Sequence, residues 1–368
     1  MLGTVFFISL AFLAFIPSAV SLQLDRRIAV WQAETGVRGI SVAVQHCGLT
    51  ETAVRGIRNE AGDMIAPDSR FALASVSKTL TAAAILVLVE RGQFRLDDSV
   101  ASASGLDFGH DITVADLLYH EAGLPEFIGG ALSFETFLQE HNSGRELWAA
   151  DDVLGFATAI PAHSSADFHY SNTHYALLGR IIEYQTGLAL ADALDQLVFQ
   201  PAGLSTAVLI QQRDQAPDAL GYSAMLSGAL GAAWSDERLA RELASLGYAA
   251  GGVIMSTEDL ARWGRLWFSG EFVSGQSYRT PAGGSAIGLA ADRLQVGAGA
   301  FEVRYGNRIL RLHGGDGLGV TALLVYDATT DTSIAILQND DATRSLGFGA
   351  DGFLDSLALE LIMESTDC

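Results

Sequence analysis

Apolar and polar residues alternate through 39–47 (GISVAVQHC), the period-two signature of a strand with one buried face. Residues 51–57 read as its hairpin partner across the turn at Gly48. The pattern changes at Ser75. Through 79–89 (TLTAAAILVLV) the chain is apolar on nearly every side, which predicts a helix buried inside a domain. Beyond Asp97-Asp98 helical periods recur at 113–120, 150–159, 174–186 and 190–200, separated by Gly, Pro and Ser clusters. From about Tyr248 alternation returns, in 252–255, 295–305, 308–313, 320–327 and 332–338, and an amphipathic helix covers 353–364.

Strands near both ends with helices between them predict an α/β (α+β) fold, in which an antiparallel sheet flanked by helices carries an inserted all-helical lobe. Residues 22–96 and 245–368 are assigned to the sheet lobe and 97–244 to the helical lobe, with a cleft at their junction.

At 368 residues and 49% hydrophobic content the chain can bury a sizeable core. A formal net charge of −21 disfavours nucleic acid and acidic lipid as partners and leaves a small-molecule or peptide substrate. Residues 1–21 carry no charge, have an apolar centre and end in Ala19-Val20-Ser21, as a signal peptide cleaved after Ser21 would. Export to a periplasm or the medium is therefore expected, with an uncleaved membrane anchor as the alternative. Cys47 and Cys368 would then be candidates for a disulfide between an early strand and the last helix; two unrelated thiols are the other reading. The eight histidines lack metal-ligand spacing, and His120-Glu121 lacks the second His of an HExxH motif, so neither a metal nor a cofactor is predicted.

One lysine occurs in the whole chain. It is Lys78, three residues after Ser75, at the start of the apolar helix. That spacing puts the hydroxyl and the amine on one helical face, and an amine, unlike a guanidinium, can lose a proton. Burial lowers a lysine pKa toward the range of a general base, and helix N-terminal amides favour an alkoxide at Ser75.

Ser75-Val76-Ser77-Lys78, then Tyr170-Ser171-Asn172, then His313-Gly314-Gly315 resemble, in order and separation, the three motifs of the serine β-lactamase and D-alanyl-D-alanine peptidase superfamily. The class C β-lactamase-like branch is the most similar, through 112–125 (ITVADLLYHEAGLP), 170–183 (YSNTHYALLGRIIE) and 248–260 (YAAGGVIMSTEDL), and the resemblance covers about 39–339. It implies a β-lactamase/transpeptidase-like fold with Ser75 as nucleophile and Lys78 and Tyr170 as proton carriers. It further implies substrate contacts at Asn172, His313 and Gly315, and an oxyanion hole from the backbone N–H groups of Ser75 and Asp316. Many members have Lys-Thr-Gly where this chain has His-Gly-Gly, so the cation that assists a substrate carboxylate is missing. Arg293, Arg304 and Arg308 are the candidate substitutes.

His-x-Gly members of the branch are associated with D-alanyl-D-alanine carboxypeptidases, D-amino-acid peptidases and esterases. A serine hydrolase of peptidase or esterase type is therefore expected ahead of a class C β-lactamase, with a penicillin-acylated sensor that does not turn over as the alternative of another class. A conventional Ser-His-Asp hydrolase fails on sequence, because the chain has no Gly-x-Ser-x-Gly elbow.

Overall fold

The computed structural model describes residues 19–106, 112–158, 167–274, 276–280, 294–346 and 353–365. Eleven strands are found among them: β1 Gly39–His46, β2 Leu49–Gly56, β3 Phe71–Ala72, β4 Val208–Leu209, β5 Val253–Met255, β6 Tyr278–Arg279, β7 Leu294–Gly297, β8 Ala300–Tyr305, β9 Arg308–Gly317, β10 Val320–Asp327 and β11 Thr332–Gln338. The helices of nine residues or more are α1 Ala19–Thr35, α2 Ser77–Glu90, α3 Phe134–Asn142, α4 Ala150–Thr158, α5 Asn172–Thr186, α6 Glu237–Gly251, α7 Thr257–Phe268 and α8 Leu354–Glu364.

Eight strands form one sheet in the order β2-β1-β11-β10-β9-β8-β7-β6, with every pair antiparallel. The first and last of the described strands, β1 and β11, thus lie side by side, with Val42 opposite Ile336. β10 shows how two covered faces follow from strand geometry. Leu323 and Val325 point into one apolar layer while Ala322, Leu324 and Tyr326 point into the other. The first layer is closed by α1, through Leu24, Ile28 and Trp31, and by α8, through Leu354, Leu357, Leu361 and Ile362, each set at helical spacing. The second contains α7, whose Trp263 and Trp267 stack at 5.5 Å, and runs on into α2 and the helices between β3 and β5.

α2 is the pivot between sheet and helices. Residues Ser77 to Leu86 are all buried, as a helix apolar all round requires. Its polar side chains are spent on neighbours: Thr79 accepts from the Trp263 indole at 2.8 Å, and Thr81 donates to the Ala249 carbonyl at 2.6 Å. Ser77 Oγ accepts the Val253 N–H at 3.2 Å.

Two strand readings need correction in detail. The run 295–305 is a hairpin, because Gly299 takes φ 63° and turns β7 into β8. The run 252–255 yields β5, which joins a second, three-stranded sheet in the order β3-β5-β4. Residues 1–18 lie outside the described residues, as does Cys368, so the expected signal peptide and disulfide fall largely there; Ala19-Val20-Ser21 form the first turn of α1. No helix among the described residues is long and apolar enough to cross a membrane.

Candidate active site

Ser75 lies in a single 3-10 turn, Ala74–Val76, that connects β3 to α2. The turn is tight: Val76 N–H donates to the Leu73 carbonyl at 3.2 Å, and Ala74 adopts φ 44°, in the left-handed region that non-glycine residues seldom enter. Leu73 is fastened to β5 by its N–H to the Val253 carbonyl at 3.0 Å. The hydroxyl is therefore presented at the N-terminal end of a buried helix by a backbone held from both sides.

Lys78 has no exposed surface. Its Nζ is 3.1 Å from Ser75 Oγ, 2.6 Å from Asn172 Oδ1 and 2.9 Å from the Ala250 carbonyl. A neutral amine has two N–H groups and one lone pair. The two carbonyl-type oxygens take the hydrogens, which leaves the lone pair facing the serine hydroxyl. Burial lowers the Lys78 pKa to about 7, against the opposing charge of Glu126. Ala250 can accept because it lies in the last turn of α6, whose carbonyls have no partner within the helix.

Tyr170 sits on the other side of the amine, its ring centroid 5.0 Å from Nζ. Burial pushes its pKa well above 10, and a hydrogen bond with Ser75 opposes the shift without cancelling it, so the phenol stays protonated when the amine is neutral. Behind it, the His120 ring stacks on Tyr170 at 4.5 Å. His120 Nδ1 accepts the Ser171 N–H at 3.2 Å and lies 3.0 Å from His174 Nδ1. Burial holds both rings neutral, His174 at about 3 and His120 well below its usual value. A donor at His174 Nδ1 and an acceptor at His120 Nδ1 satisfy both contacts.

The third motif is placed beside the serine. A Cβ on Gly315 would lie 2.4 Å from the Leu73 carbonyl oxygen and 3.1 Å from Ser75 N, so the absence of a side chain here lets β9 approach the Ser75 turn. His313 is buried, its pKa lowered by desolvation to about 3, and its Nδ1 is 2.6 Å from the Gly314 carbonyl oxygen. It is neutral at pH 7. The Asp316 carboxylate accepts from Ser345 N–H at 2.9 Å and Ser345 Oγ at 2.8 Å, which turns it toward the 345 loop. Of the candidate arginines, Arg304 is exposed on β8, Arg308 is paired with Asp327, and Arg293 lies outside the described residues.

A cavity of about 390 Å³ opens at Ser75, Asn172 and Asp316. Its walls are largely apolar, with Phe134 and Phe137 of α3, Leu243 and Leu246 of α6, and Leu318 and Val320 around the β9–β10 turn. Ile128 and Met225, two of the exposed large apolar side chains, also line it. Among the described residues that line it, Asp316 alone is charged.

The Beta-lactamase family model matches residues 24–356. The chain belongs to the beta-lactamase family. Penicillin-binding protein 4 of Amycolatopsis lactamdurans is 28% identical over 252 residues, 66% of this chain and 62% of that protein. Esterase EstB of Burkholderia gladioli is 27% identical over 179 residues, 46% of each chain. The chain thus spans less than two thirds of the length of these curated relatives. Among solved structures, the D-amino acid amidase from Ochrobactrum anthropi SV3 complexed with L-phenylalanine amide superposes with a TM-score of 0.73, covering 95% of this chain and 99% of that one at 22% identity, a likeness of fold.

Within this beta-lactamase-family frame the structure brings Ser75, Lys78, Tyr170 and Asn172 into one contact set and adds two side chains that sequence reading passed over. His120 backs Tyr170, as described. Glu126 lies one residue past the 112–125 segment, and its Oε2 accepts both the Asn172 N–H at 2.7 Å and Asn172 Nδ2 at 3.0 Å. The one sequence signal that pointed at either was the likeness of 112–125 to a family segment, which draws attention to the stretch but assigns neither residue a task.

Proposed function

We propose that this protein is a serine hydrolase that forms an acyl-enzyme on Ser75 and acts on small esters and amides, of the peptidase or esterase kind rather than as a β-lactamase. The observation that carries the reading is the Lys78 amine, buried, its pKa lowered to about 7, and 3.1 Å from the Ser75 hydroxyl with its two other contacts both acceptors. In acylation the Ser75 proton passes to Lys78 Nζ as Oγ adds to the substrate carbonyl. The N–H groups of Ser75 and Asp316 would receive the oxyanion, a contribution of about 3 kcal/mol for each donor. The Tyr170 phenol, on the same amine, relays the proton to the departing alcohol or amine, and water releases the acyl group in the reverse sense.

The choice among substrates follows from the walls of the cavity. A penicillin, or a peptide ending in a carboxylate, places a negative charge near the third motif, where this chain offers a neutral His313 and the Asp316 carboxylate. Uncharged apolar acyl groups suit the Phe134, Phe137 and Leu243 walls. The likeness to an esterase and to a D-amino acid amidase supports the same direction. Export of the protein, on the strength of its uncharged residues 1–21, belongs to this reading as well.

The test is a turnover panel of p-nitrophenyl acetate and butyrate, D-aminoacyl amides, acyl-D-Ala-D-Ala and nitrocefin, run beside fluorophosphonate labelling of the wild type and Ser75→Ala. Labelling lost in the variant, with turnover of the esters or amides that carry no carboxylate leading the panel, is the expected result. Equal labelling of the variant would overturn the nucleophile, and a stoichiometric burst without turnover on every substrate would favour a sensor.

A further inference from the structure

Asn172 has two ways to point its carboxamide, and only one of them leaves Lys78 an acceptor. What selects that orientation is Glu126. Its Oε1 accepts the Ile128 N–H at 2.8 Å, and its Oε2 accepts the first N–H of α5 and the Asn172 Nδ2 group, so both oxygens are committed to donors. A carboxylate at a helix N-terminus is also favoured by the exposed amides there. Flipping the carboxamide would set its oxygen against the Glu126 carboxylate and its NH₂ against the lysine amine, donor to donor. We infer that Glu126 is a positioning residue of the acylation step: through Asn172 it fixes the two acceptors that turn the Lys78 lone pair toward Ser75. This rests on the acyl-enzyme reading above.

The same carboxylate sets the electrostatics of the amine. Lys78 is faced by Ser75 on its own segment, Tyr170 ahead of α5, His174 and Tyr175 on α5, His120 after 114–118, and His313 on β9, none of which carries charge at pH 7. Glu126 opposes the effect of burial and keeps the amine from falling further below its usual range. Orientation and basicity of the general base therefore come through one side chain, and they part company when it is changed.

Glu126→Gln removes the charge and presents an NH₂ where three donors now converge. Its kcat on p-nitrophenyl acetate should drop about a hundredfold, with KM within about threefold, as for a misplaced reacting group. At the same time the acid limb of kcat/KM should move to lower pH, because the amine loses the charge that sustains its protonated form. Glu126→Asp, one methylene shorter but still anionic, should keep the limb near the wild-type pH and recover part of kcat. Lys78 is the only lysine, so a sample labelled with ¹³Cε-lysine gives one side-chain signal, and its titration in folded wild type and variants reads the amine without turnover. A Glu126→Gln enzyme whose limb and lysine signal titrate as in the wild type, or at higher pH, overturns the inference, as does a change in KM alone. Absence of Ser75 labelling in the wild type would instead sink the acyl-enzyme reading.

Discussion

Gly315→Ala is the most direct test of the placement of the nucleophile. The added Cβ would meet the Leu73 carbonyl oxygen at 2.4 Å, Ser75 N at 3.1 Å and Ala74 Cβ at 3.3 Å. Ordinary contact begins near 3.4 Å, so β9 and the 73–76 turn must separate by about 1 Å. Neither side yields cheaply. β9 lies between β10 and β8, and the turn is tied to β5 through Leu73. Overpacking of this kind costs about 1–3 kcal/mol of stability. A 1 Å displacement of a reacting atom costs roughly a hundredfold in rate, and any tilt of the Ser75 N–H away from the oxyanion adds to that. The assay is kcat/KM on p-nitrophenyl acetate at pH 8, above the lowered Lys78 pKa, together with a urea melt. Gly228→Ala serves as the control, since its Cβ would touch nothing within 4 Å. A Gly315→Ala enzyme within threefold of the wild type would refute the view that close approach of β9 sets the nucleophile.

Lys78→Arg keeps a cation but cannot supply a neutral lone pair, and acylation measured by fluorophosphonate labelling should slow by 10²-fold or more. In the wild type, kcat/KM should rise with pH through about 7, as the lowered Lys78 pKa releases the amine, and should hold into the alkaline range, because the Tyr170 pKa is raised. A limb centred near pH 5 would contradict the assignment. His120→Phe retains a ring against Tyr170 but loses the acceptor for Ser171 N–H, and a fall in kcat of about tenfold, read by stopped-flow acylation, is expected. If the protein is exported, sequencing the mature N-terminus should find Leu22 first; recovery of residues 1–21 in the soluble product would count against cleavage.

The parts of the site that could be read from the chain are those whose chemistry is local. Ser75 and Lys78 are three residues apart, and the apolar run behind them announces burial; Tyr170 and Asn172 came from their likeness to a known segment. Glu126 was not legible, because its partner is 46 residues away and its acid function resembles that of any surface carboxylate. The motif at 313–315 draws attention to Gly315, but that it packs against the Leu73 carbonyl and Ser75 N is a matter of sheet position that strand periodicity does not encode. In the fold, the alternation at 320–327 and 332–338 was plain. α3 and the beginning of α6 are not among the helices read from the chain, although each has an amphipathic period that buries Phe137 and His141 in one and Leu239 and Leu246 in the other; the break at Tyr248 hides where α6 ends.

The pairing of β1 with β11 has a consequence for the way the protein comes into being. Residue 42 waits for residue 336, so the pairing that joins the N-terminal hairpin to the rest of the sheet cannot close until nearly the entire chain has left the ribosome. The acceptor for the lysine at Ala250 and the strand that abuts the serine turn also arrive late in synthesis. A chain at 5–20 residues per second therefore carries its nucleophile for roughly ten seconds or more before a working base exists beside it. During that interval Ser75 is an ordinary hydroxyl, and the proposed acylation chemistry would be switched on by completion of the fold itself.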